Sequence, residues 1–254
     1  MADSVRRVVV SGGSGGIGRA IVVALASEGY EVVALGRDSA RLAALEREAA
    51  AYGLSVRTQV CDLRDEQQVV PVAEGLEPVS VLVNNAGTAR TAPLRGTGLD
   101  LWEDQIRVNA TSAFLLTRTL LTGMLERDHG RVVFIASTAA LVGARYTAAY
   151  TASKHAMLGL ARAVAAEVSG TGVTSNAVCP TFVRSPMTDR SVAHIVERTG
   201  RDAEQAEAAL AEASPLGRLV EPEEVAAAVS YFVSPAARAV NGQTLTIDGG
   251  GVHS

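Results

Sequence analysis

The residues of this 254-residue chain best suited to chemistry are Tyr150 and Lys154, which are four positions apart. Side chains at i and i+4 of a helix lie on one face, so this spacing brings a phenol and an ammonium together. A phenol is normally protonated at neutral pH, and a neighbouring cation favours the tyrosinate and lowers the pKa of the phenol. The pair therefore predicts an acid/base group for a reaction in which a carbonyl group accepts a hydride and needs a proton.

Lys154 is also exceptional in composition. It is the one lysine among 23 basic residues, and the other 22 are arginines. A coding bias toward arginine is the simple explanation for that shortage. An ammonium, however, is compact and titratable, whereas a guanidinium is planar and always charged. We therefore interpret position 154 as one that requires an ammonium.

A second chemical feature is a glycine-rich turn near the start of the chain. The apolar run Val8-Val9-Val10 leads into Ser11-Gly12-Gly13-Ser14-Gly15-Gly16-Ile17-Gly18. Glycines let the backbone approach a pyrophosphate, whose charge meets the N–H groups at a helix N-terminus. A flexible turn is the alternative, but the position between a strand and a helix favours dinucleotide binding. A phosphotransferase loop is not expected, because no Gly-Lys-Ser/Thr follows.

The elements that must position these residues alternate regularly. Short apolar, β-branched runs predict strands at Arg7–Ser11, Glu31–Leu35, Ser55–Cys61, Val79–Val83, Arg131–Ala136, Val173–Val178 and Gln243–Ile247. Helical patterns cover Gly16–Glu28, Ser39–Tyr52, Glu66–Glu74, Leu101–Arg127, Ala149–Ser169 and Pro222–Phe232. This alternation predicts an α/β fold with a Rossmann-type, doubly wound parallel sheet of about seven strands. No linker divides the chain, so we expect one domain over residues 1–254.

One segment, residues 181–219, interrupts the alternation. It contains two predicted helices, Pro186–Thr199 and Asp202–Glu212. An insertion after a strand lies at the carboxyl edge of the sheet, where ligands bind, so we interpret it as a substrate lid. A helix pair used for packing or oligomer contacts is the alternative.

Composition excludes several classes of protein. A net charge of −4 and an aromatic content of 4% argue against a nucleic-acid partner. No apolar run is long enough to span a bilayer. The N-terminus lacks the pattern of a secretion signal, and two cysteines, Cys61 and Cys179, cannot form a disulfide framework, so we expect a cytoplasmic protein. Four scattered histidines, at positions 129, 155, 194 and 253, predict no metal site.

The spacing Ser11-Gly12-xxx-Gly16-x-Gly18 resembles the Thr-Gly-xxx-Gly-x-Gly turn of the short-chain dehydrogenase/reductase family, with Ser11 in place of threonine. The resemblance extends along the chain in order, through Asp62-Leu63, Asn84-Asn85-Ala86-Gly87, Asn109, Ser137 and Tyr150-Thr151-Ala152-Ser153-Lys154. It implies cofactor contacts at Gly12, Ser14, Gly16, Ile17, Gly18, Arg37, Asp62, Leu63, Asn85, Ala86, Gly87, Tyr150, Lys154, Pro180, Val183 and Ser185.

Four residues form the predicted catalytic set. Tyr150 is the acid/base, and Ser137, at the carboxyl end of a strand, orients the carbonyl oxygen. Lys154 tunes Tyr150 and reaches a ribose hydroxyl of the cofactor. The resemblance implies that Asn109 holds a water linking Lys154 to solvent.

The end of the second strand indicates which cofactor is used. An acidic residue there suits the ribose 2′-hydroxyl of NAD, and an arginine suits the 2′-phosphate of NADP. Here Gly36 occupies the acidic position and Arg37 follows, while Asp38 fits a helix cap better than a ribose contact. We therefore favour NADP(H) over NAD(H).

The expected substrate is an apolar ketone or secondary alcohol, contacted by Ser137, Tyr150, Phe182 and Met187. Arg90, Arg145 and Arg184 are candidates for binding a carboxylate, coenzyme A or an acyl-carrier phosphopantetheine, although solvated surface arginines are the commoner case. Thr181 stands where the family usually has glycine, so the resemblance does not specify the shape of the pocket there. The resemblance to 3-oxoacyl and polyketide ketoreductases is general.

We therefore expect an NAD(P)-dependent oxidoreductase that reduces an apolar or acyl-carrier-linked ketone, and the resemblance implies a homotetramer. One alternative is an NAD-dependent secondary alcohol dehydrogenase acting oxidatively. A second is a cofactor-binding regulator without turnover. A nucleotide-sugar epimerase or dehydratase fits less well, because it needs a larger C-terminal domain.

Overall fold

A computed structural model of the protein describes residues 6–212 and 214–252, so His253 lies outside the described residues. Its centre is one sheet of seven parallel strands in the order β3-β2-β1-β4-β5-β6-β7. The strands are β1 (Arg7–Ser11), β2 (Glu31–Gly36), β3 (Val56–Val60), β4 (Val81–Asn84), β5 (Gly130–Ile135), β6 (Val173–Pro180) and β7 (Thr244–Ile247). This sheet confirms the predicted fold class.

Helices cover both faces of the sheet. They are α1 (Gly16–Ser27), α2 (Ser39–Ala51), α3 (Glu66–Gly75), α4 (Leu99–Ile106), α5 (Ser112–Glu126), α6 (Ala148–Glu167), α7 (Pro186–Thr199), α8 (Ala203–Ala211) and α9 (Pro222–Val233). One core cluster joins the sheet to α3, α5 and α6, and the other joins it to α1, α2 and α9. Burial on both faces explains why the central strands are almost wholly apolar. In the described part of the chain, no helix has the length and hydropathy of a membrane span.

The predicted helix Leu101–Arg127 is interrupted in the structure. A five-residue π-helical segment, Arg107–Thr111, separates α4 from α5 and contains Asn109. A π-turn accommodates an extra residue without a polar break, so the apolar periodicity did not reveal it. Such turns are frequent at functional sites, and this one presents Asn109 to the interior.

The order of the strands determines where ligands bind. The chain leaves β1 toward β2 on one side and later returns to β4 on the other side, so β1 and β4 flank the switch point. In open parallel sheets, a crevice for ligands opens at the carboxyl ends of the strands at this point. The glycine turn follows β1, Asn85 follows β4 and Ser137 lies just beyond β5, so the candidate residues meet at this edge.

Candidate active site

A large cavity of about 1610 Å³ lies along this edge of the sheet. Its wall contains every residue that we predicted to contact cofactor or substrate: Gly12, Ser14, Gly16, Ile17, Gly18, Arg37, Asp62, Leu63, Asn85, Ala86, Gly87, Ser137, Tyr150, Lys154, Pro180, Phe182, Val183, Ser185 and Met187. Asn109 is fully buried behind the wall. The cavity thus brings together side chains from segments far apart in the chain.

Ser11 ties the glycine turn to the end of β4. Its hydroxyl accepts hydrogen bonds from the backbone N–H groups of Asn85 (2.9 Å) and Ala86 (3.0 Å). The amide of Asn85 in turn donates to the carbonyl oxygens of Ser11 (2.9 Å) and Gly12 (3.1 Å). These four bonds hold together the two loops at the switch point. Serine therefore supplies the hydroxyl that the threonine of the family's turn would bring.

The glycine turn is too tight for side chains at several of its positions. Gly12 has a φ of +66°, and a Cβ there would lie 2.9 Å from the Cα of Ala86. A Cβ at Gly18 would overlap the carbonyl oxygen of Gly12 and would lie 2.6 Å from the amide nitrogen of Asn85. At Gly15, by contrast, a Cβ meets nothing within 4 Å. The close approach of α1 to the turn therefore depends on Gly18.

Substituting Gly18→Ala should destabilise the protein, because the backbone carbonyl of Gly12 has to move. We expect the free energy of unfolding to fall by about 1–3 kcal/mol, the usual cost of overpacking. Urea unfolding followed by circular dichroism measures it. Gly15→Ala is the control and should change stability little, because Gly15 has extended backbone and open space. Equal unfolding midpoints for the two variants would show that the turn accommodates an alanine at position 18 without a specific loss of stability.

The wall near β2 and β3 is rich in arginine. Arg37 is exposed on it, while the carboxylate of Asp38 accepts a hydrogen bond from the backbone N–H of Arg41 and caps α2. Asp62 forms a bidentate pair with Arg64, whose hydrogen bonds lower the pKa of Asp62 to about 2. Arg41 and Arg64 also line the cavity, and the sequence motifs did not reveal them because neither residue is part of one.

Ser137, Tyr150 and Lys154 all line the cavity wall. The hydroxyl of Ser137 lowers the pKa of the Tyr150 phenol, and it accepts a hydrogen bond from the N–H of Ala139 (3.1 Å). The ammonium of Lys154 lies 5.9 Å from the centre of the Tyr150 ring and donates to the carbonyl oxygen of Ile135 (2.9 Å). The spacing of four residues on α6 thus places phenol and ammonium on one face, as predicted.

The pKa values in this cluster differ from the simple expectation. Burial raises the pKa of Tyr150, and the hydrogen bond from Ser137 opposes that shift only in part. Burial also lowers the pKa of Lys154 to about 8. We expected the ammonium to lower the pKa of the phenol. Here the ammonium is turned toward a backbone carbonyl, and desolvation of the phenol is the larger effect.

Asn109 supports the cluster from behind the wall. Its side-chain oxygen accepts from the N–H of Thr88 (2.7 Å), and its amide donates to the carbonyl of Thr88 (2.9 Å) and to the hydroxyl of Ser153 (2.8 Å). Ser153 donates in turn to the carbonyl of Tyr150 (2.7 Å). Gly87 lies between Asn109 and Lys154, since a Cβ there would be 3.3 Å from the Asn109 oxygen and 3.5 Å from the Lys154 nitrogen. Ser153 is a positioning residue that the sequence did not single out.

Another part of the wall is formed by the segment after β6. Phe182 and Met187 line it, together with Val142 from the loop before α6. Of the three candidate anion-binding arginines, only Arg145 reaches the cavity. Arg184 is instead paired with Glu207 (3.1 Å) and Glu221 (3.2 Å), which joins α8 to the start of α9.

Comparison with known proteins finds a matching family model and solved structures with the same fold. A family model described as short chain dehydrogenase matches residues 6–196. A variant of the actinorhodin polyketide ketoreductase, solved with NADPH, superposes with a TM-score of 0.91 at 36% identity over 96% of each chain.

Two curated relatives are similar over nearly their full length. The acetoacetyl-CoA reductase of Rhizobium meliloti is 36% identical over 96% of this chain and 98% of its own. The D-beta-hydroxybutyrate dehydrogenase of Cupriavidus necator is 34% identical over 97% of this chain and 98% of its own. These matches confirm the expected oxidoreductase that interconverts ketones and alcohols, and the chain belongs to the short-chain dehydrogenase family.

Proposed function

We propose that the protein is an NADP(H)-dependent ketoreductase with Tyr150 as its acid/base. The observation that carries this proposal is the cluster of Ser137, Tyr150 and Lys154 on the wall of the cavity that also contains the glycine turn. The decisive experiment is an assay of NADPH oxidation with a panel of ketones, repeated with NADH. Turnover of none of them with either cofactor would favour a cofactor-binding regulator.

The residues present fit a nicotinamide dinucleotide. The turn from Gly12 to Gly18 leaves backbone N–H groups at the start of α1 free of bulky side chains, which suits a pyrophosphate. Asp62 and Leu63 line the part of the cavity near β3, where the adenine would be held, and Arg37 lines the same part. Further residues suited to hold the cofactor also line the cavity: Asn85, Ala86, Gly87, Pro180, Val183 and Ser185. When bound, the dinucleotide supplies the hydride for reduction.

The protein's own groups then handle the proton. Tyr150 is protonated at neutral pH and donates its proton to the oxygen of a bound ketone, a role that burial favours by raising its pKa. Ser137, whose hydroxyl interacts with Tyr150, orients that oxygen. Lys154 stabilises the tyrosinate that remains, and its ammonium would also hold a ribose hydroxyl of the cofactor. Asn109 and Ser153 hold the backbone of α6 in place for both residues.

The reductive direction and NADP preference are the finer parts of the proposal. The NADPH in the actinorhodin ketoreductase structure supports them, whereas the name of the hydroxybutyrate dehydrogenase favours oxidation as a second candidate. A guanidinium at Arg37 beside the small Gly36 suits a 2′-phosphate. Because Asp38 is engaged at the N-cap of α2, it does not compete for a ribose.

Substituting Arg37→Asp should shift the preference toward NADH, because it removes a cation and adds an anion near the 2′-phosphate. We expect the ratio of kcat/KM for NADPH over NADH to fall by about 10- to 100-fold, as for a lost charge-assisted hydrogen bond. Steady-state kinetics with both cofactors measures the ratio. Arg47→Asp, an exposed position on α2 outside the cavity wall, is the matched control. An unchanged ratio for Arg37→Asp would refute the assignment.

Three further features belong to the same proposal. Residues 181–219 serve as a substrate lid, which is supported by the cavity contacts of α7 and of Leu210 on α8. Exposed apolar side chains, Trp102 on α4 and Phe114 on α5, support association into a homotetramer. Two buried, unpaired cysteines support a cytoplasmic location.

A further inference from the structure

The helix α7 presents a row of basic side chains to the cavity. Arg190, His194 and Arg198 are four residues apart in sequence, and all three line the cavity wall. Residues spaced by four lie along one helix face, at a rise of about 1.5 Å per residue, so the row extends for about 12 Å. We call these three residues the basic row.

Among the described residues of the cavity wall, no acidic residue belongs to α7, and none is close to the basic row in sequence. Among the described lining residues, Asp38 and Asp62 are the only acidic ones, and both belong to the part of the wall near β2 and β3. The acidic residues of α7, Asp189 and Glu197, do not line the cavity. Glu197 is 80% exposed and approaches His194 only to 3.9 Å. The wall formed by α7 therefore carries only basic ionisable groups.

Two other arginines, one just before α7 and one on a different part of the cavity wall, have carboxylate partners. Arg184, two residues before α7, forms ion pairs with Glu207 and Glu221. Arg64 pairs with Asp62 on the wall of the same cavity. Compensation of the helix dipole accounts for one cation in the last turn of α7, which is Arg198, but it does not account for the rest of the row. The orientation of the whole row toward the cavity therefore needs another explanation.

The position of the row indicates where an anion would bind. Helix α7 begins beside the glycine turn, since a Cβ at Gly16 would lie 3.2 Å from the Cβ of Ser185. Counting along the helix from Pro186, the row begins about 6 Å away and ends about 18 Å away. Phe182 and Met187, next to the start of α7, provide an apolar wall before the first cation. A ligand that follows α7 from this apolar wall would meet the three cations only at its far end.

We infer that the basic row binds an anionic group, a phosphate or a carboxylate, at the end of the substrate remote from the ketone or alcohol carbon. This inference rests on the proposed ketoreductase chemistry at Tyr150 and extends it to the substrate class. Guanidinium groups bind phosphate and carboxylate oxygens in bidentate geometry, and the imidazole of His194 adds a further donor. The row thus selects among ketones by their distal charge and leaves the reaction at Tyr150 unchanged.

Two pairs of substrates test the inference, each pair differing only in its distal charge. One pair is a 3-oxoacyl thioester of 4′-phosphopantetheine and the same thioester of pantetheine. The other pair is a long-chain oxo acid with a terminal carboxylate and its methyl ester. We expect a KM that is lower for the anionic member of at least one pair, with similar kcat. The pair that shows the difference identifies phosphate or carboxylate as the ligand.

Variants locate the effect on the basic row. Arg190→Gln, His194→Gln and Arg198→Gln should each raise KM for the anionic member by about threefold, as for exposed ion pairs. The triple variant should raise KM by roughly 30-fold if the effects add, and KM for the neutral member should stay constant. Added salt should reduce the preference of the parent enzyme. Arg201→Gln is the matched control, because Arg201 is exposed just beyond α7 and does not line the cavity.

Equal KM values within both pairs, or equal effects of the variants on charged and neutral substrates, would overturn the inference. Calorimetric titration of the cofactor-loaded enzyme with 4′-phosphopantetheine, with the terminal oxo acid and with pantetheine separates this outcome from failure of the proposed function. One outcome is that the enzyme binds the charged ligands more tightly than pantetheine, that the triple variant loses this binding, and that no ketone is turned over. This outcome would support the anion site and contradict the proposed ketoreductase activity. Turnover of neutral ketones without charge-dependent binding would support the ketoreductase activity and contradict the anion site.

Discussion

Substituting Tyr150→Phe is expected to reduce kcat by about 10²- to 10⁴-fold, the usual contribution of a positioned general acid. Phenylalanine keeps the ring and its packing, so the change removes only the hydroxyl group, which interacts with Ser137. Cofactor binding, measured by fluorescence titration, should be nearly unchanged. Ketone reduction under saturating cofactor measures the loss. A variant retaining more than about a tenth of the parent kcat would exclude Tyr150 as the proton donor, since that loss is below the range for a general acid.

The pH dependence of the parent enzyme provides a second test of the same role. Reduction requires the protonated phenol, and oxidation requires the tyrosinate. Because burial raises the pKa of Tyr150, the phenol remains protonated through neutral pH. The rate of reduction should therefore be steady near neutrality and fall only at alkaline pH, while the rate of oxidation should rise there. The residual activity of Tyr150→Phe should lack this dependence.

Substituting Lys154→Arg is expected to lower kcat/KM by about 10²-fold or more, comparable to the loss of one preorganised electrostatic group. The charge is kept, but the site is small. Lys154 is 4% exposed and lies against the carbonyl of Ile135, the sulfur of Met157 and the backbone of Gly87. A planar guanidinium cannot occupy that space with the same contacts. Initial rates over a range of ketone concentrations measure the loss, and a near-normal kcat/KM would mean that any cation serves at this position.

The companion variant Lys154→Met separates charge from shape. Burial lowers the pKa of Lys154 from 10.5 to about 8 on folding, so between these values the unfolded chain binds more protons than the native protein. The stability of the parent should therefore rise with pH across that interval, because the burial cost of the ammonium disappears as it is deprotonated. Lys154→Met lacks this contribution, and its difference in Tm from the parent should change between pH 8 and 10.5. A constant difference would indicate an unperturbed ammonium.

Local patterns in the sequence were sufficient to predict the order of the elements and many of the residues that line the cavity. The alternation of apolar strands with helices specifies parallel βαβ units, because each strand must be covered on both faces. The Tyr150–Lys154 spacing acts over one turn of α6, so its placement on one helix face follows from helix periodicity alone. The residues that we placed in the cofactor and substrate sites line one cavity because the parallel strands end at the same edge of the sheet, at the switch point.

Contacts between distant segments were decided only by tertiary packing. Ser11 bridges to Asn85 across 74 residues, and Ser153 bridges to Asn109 across 44. No periodicity within either segment specifies such pairs, because each depends on how two elements approach one another. Arg184 shows that tertiary packing can also remove a candidate. The sequence made it a candidate for binding substrate anions, but the fold pairs it with Glu207 and Glu221.

The charge pattern of α7 shows the same division. The spacing of Arg190, His194 and Arg198 is visible in the sequence and places the three side chains on one helix face. Which way that face points depends on how α7 packs after β6, and the structure directs it into the cavity that also holds Tyr150. Helix periodicity is a local property that side-chain spacing reveals. The orientation of a helix is a property of the whole fold, and α7 is positioned by its packing against α8 and by the approach of Ser185 to Gly16.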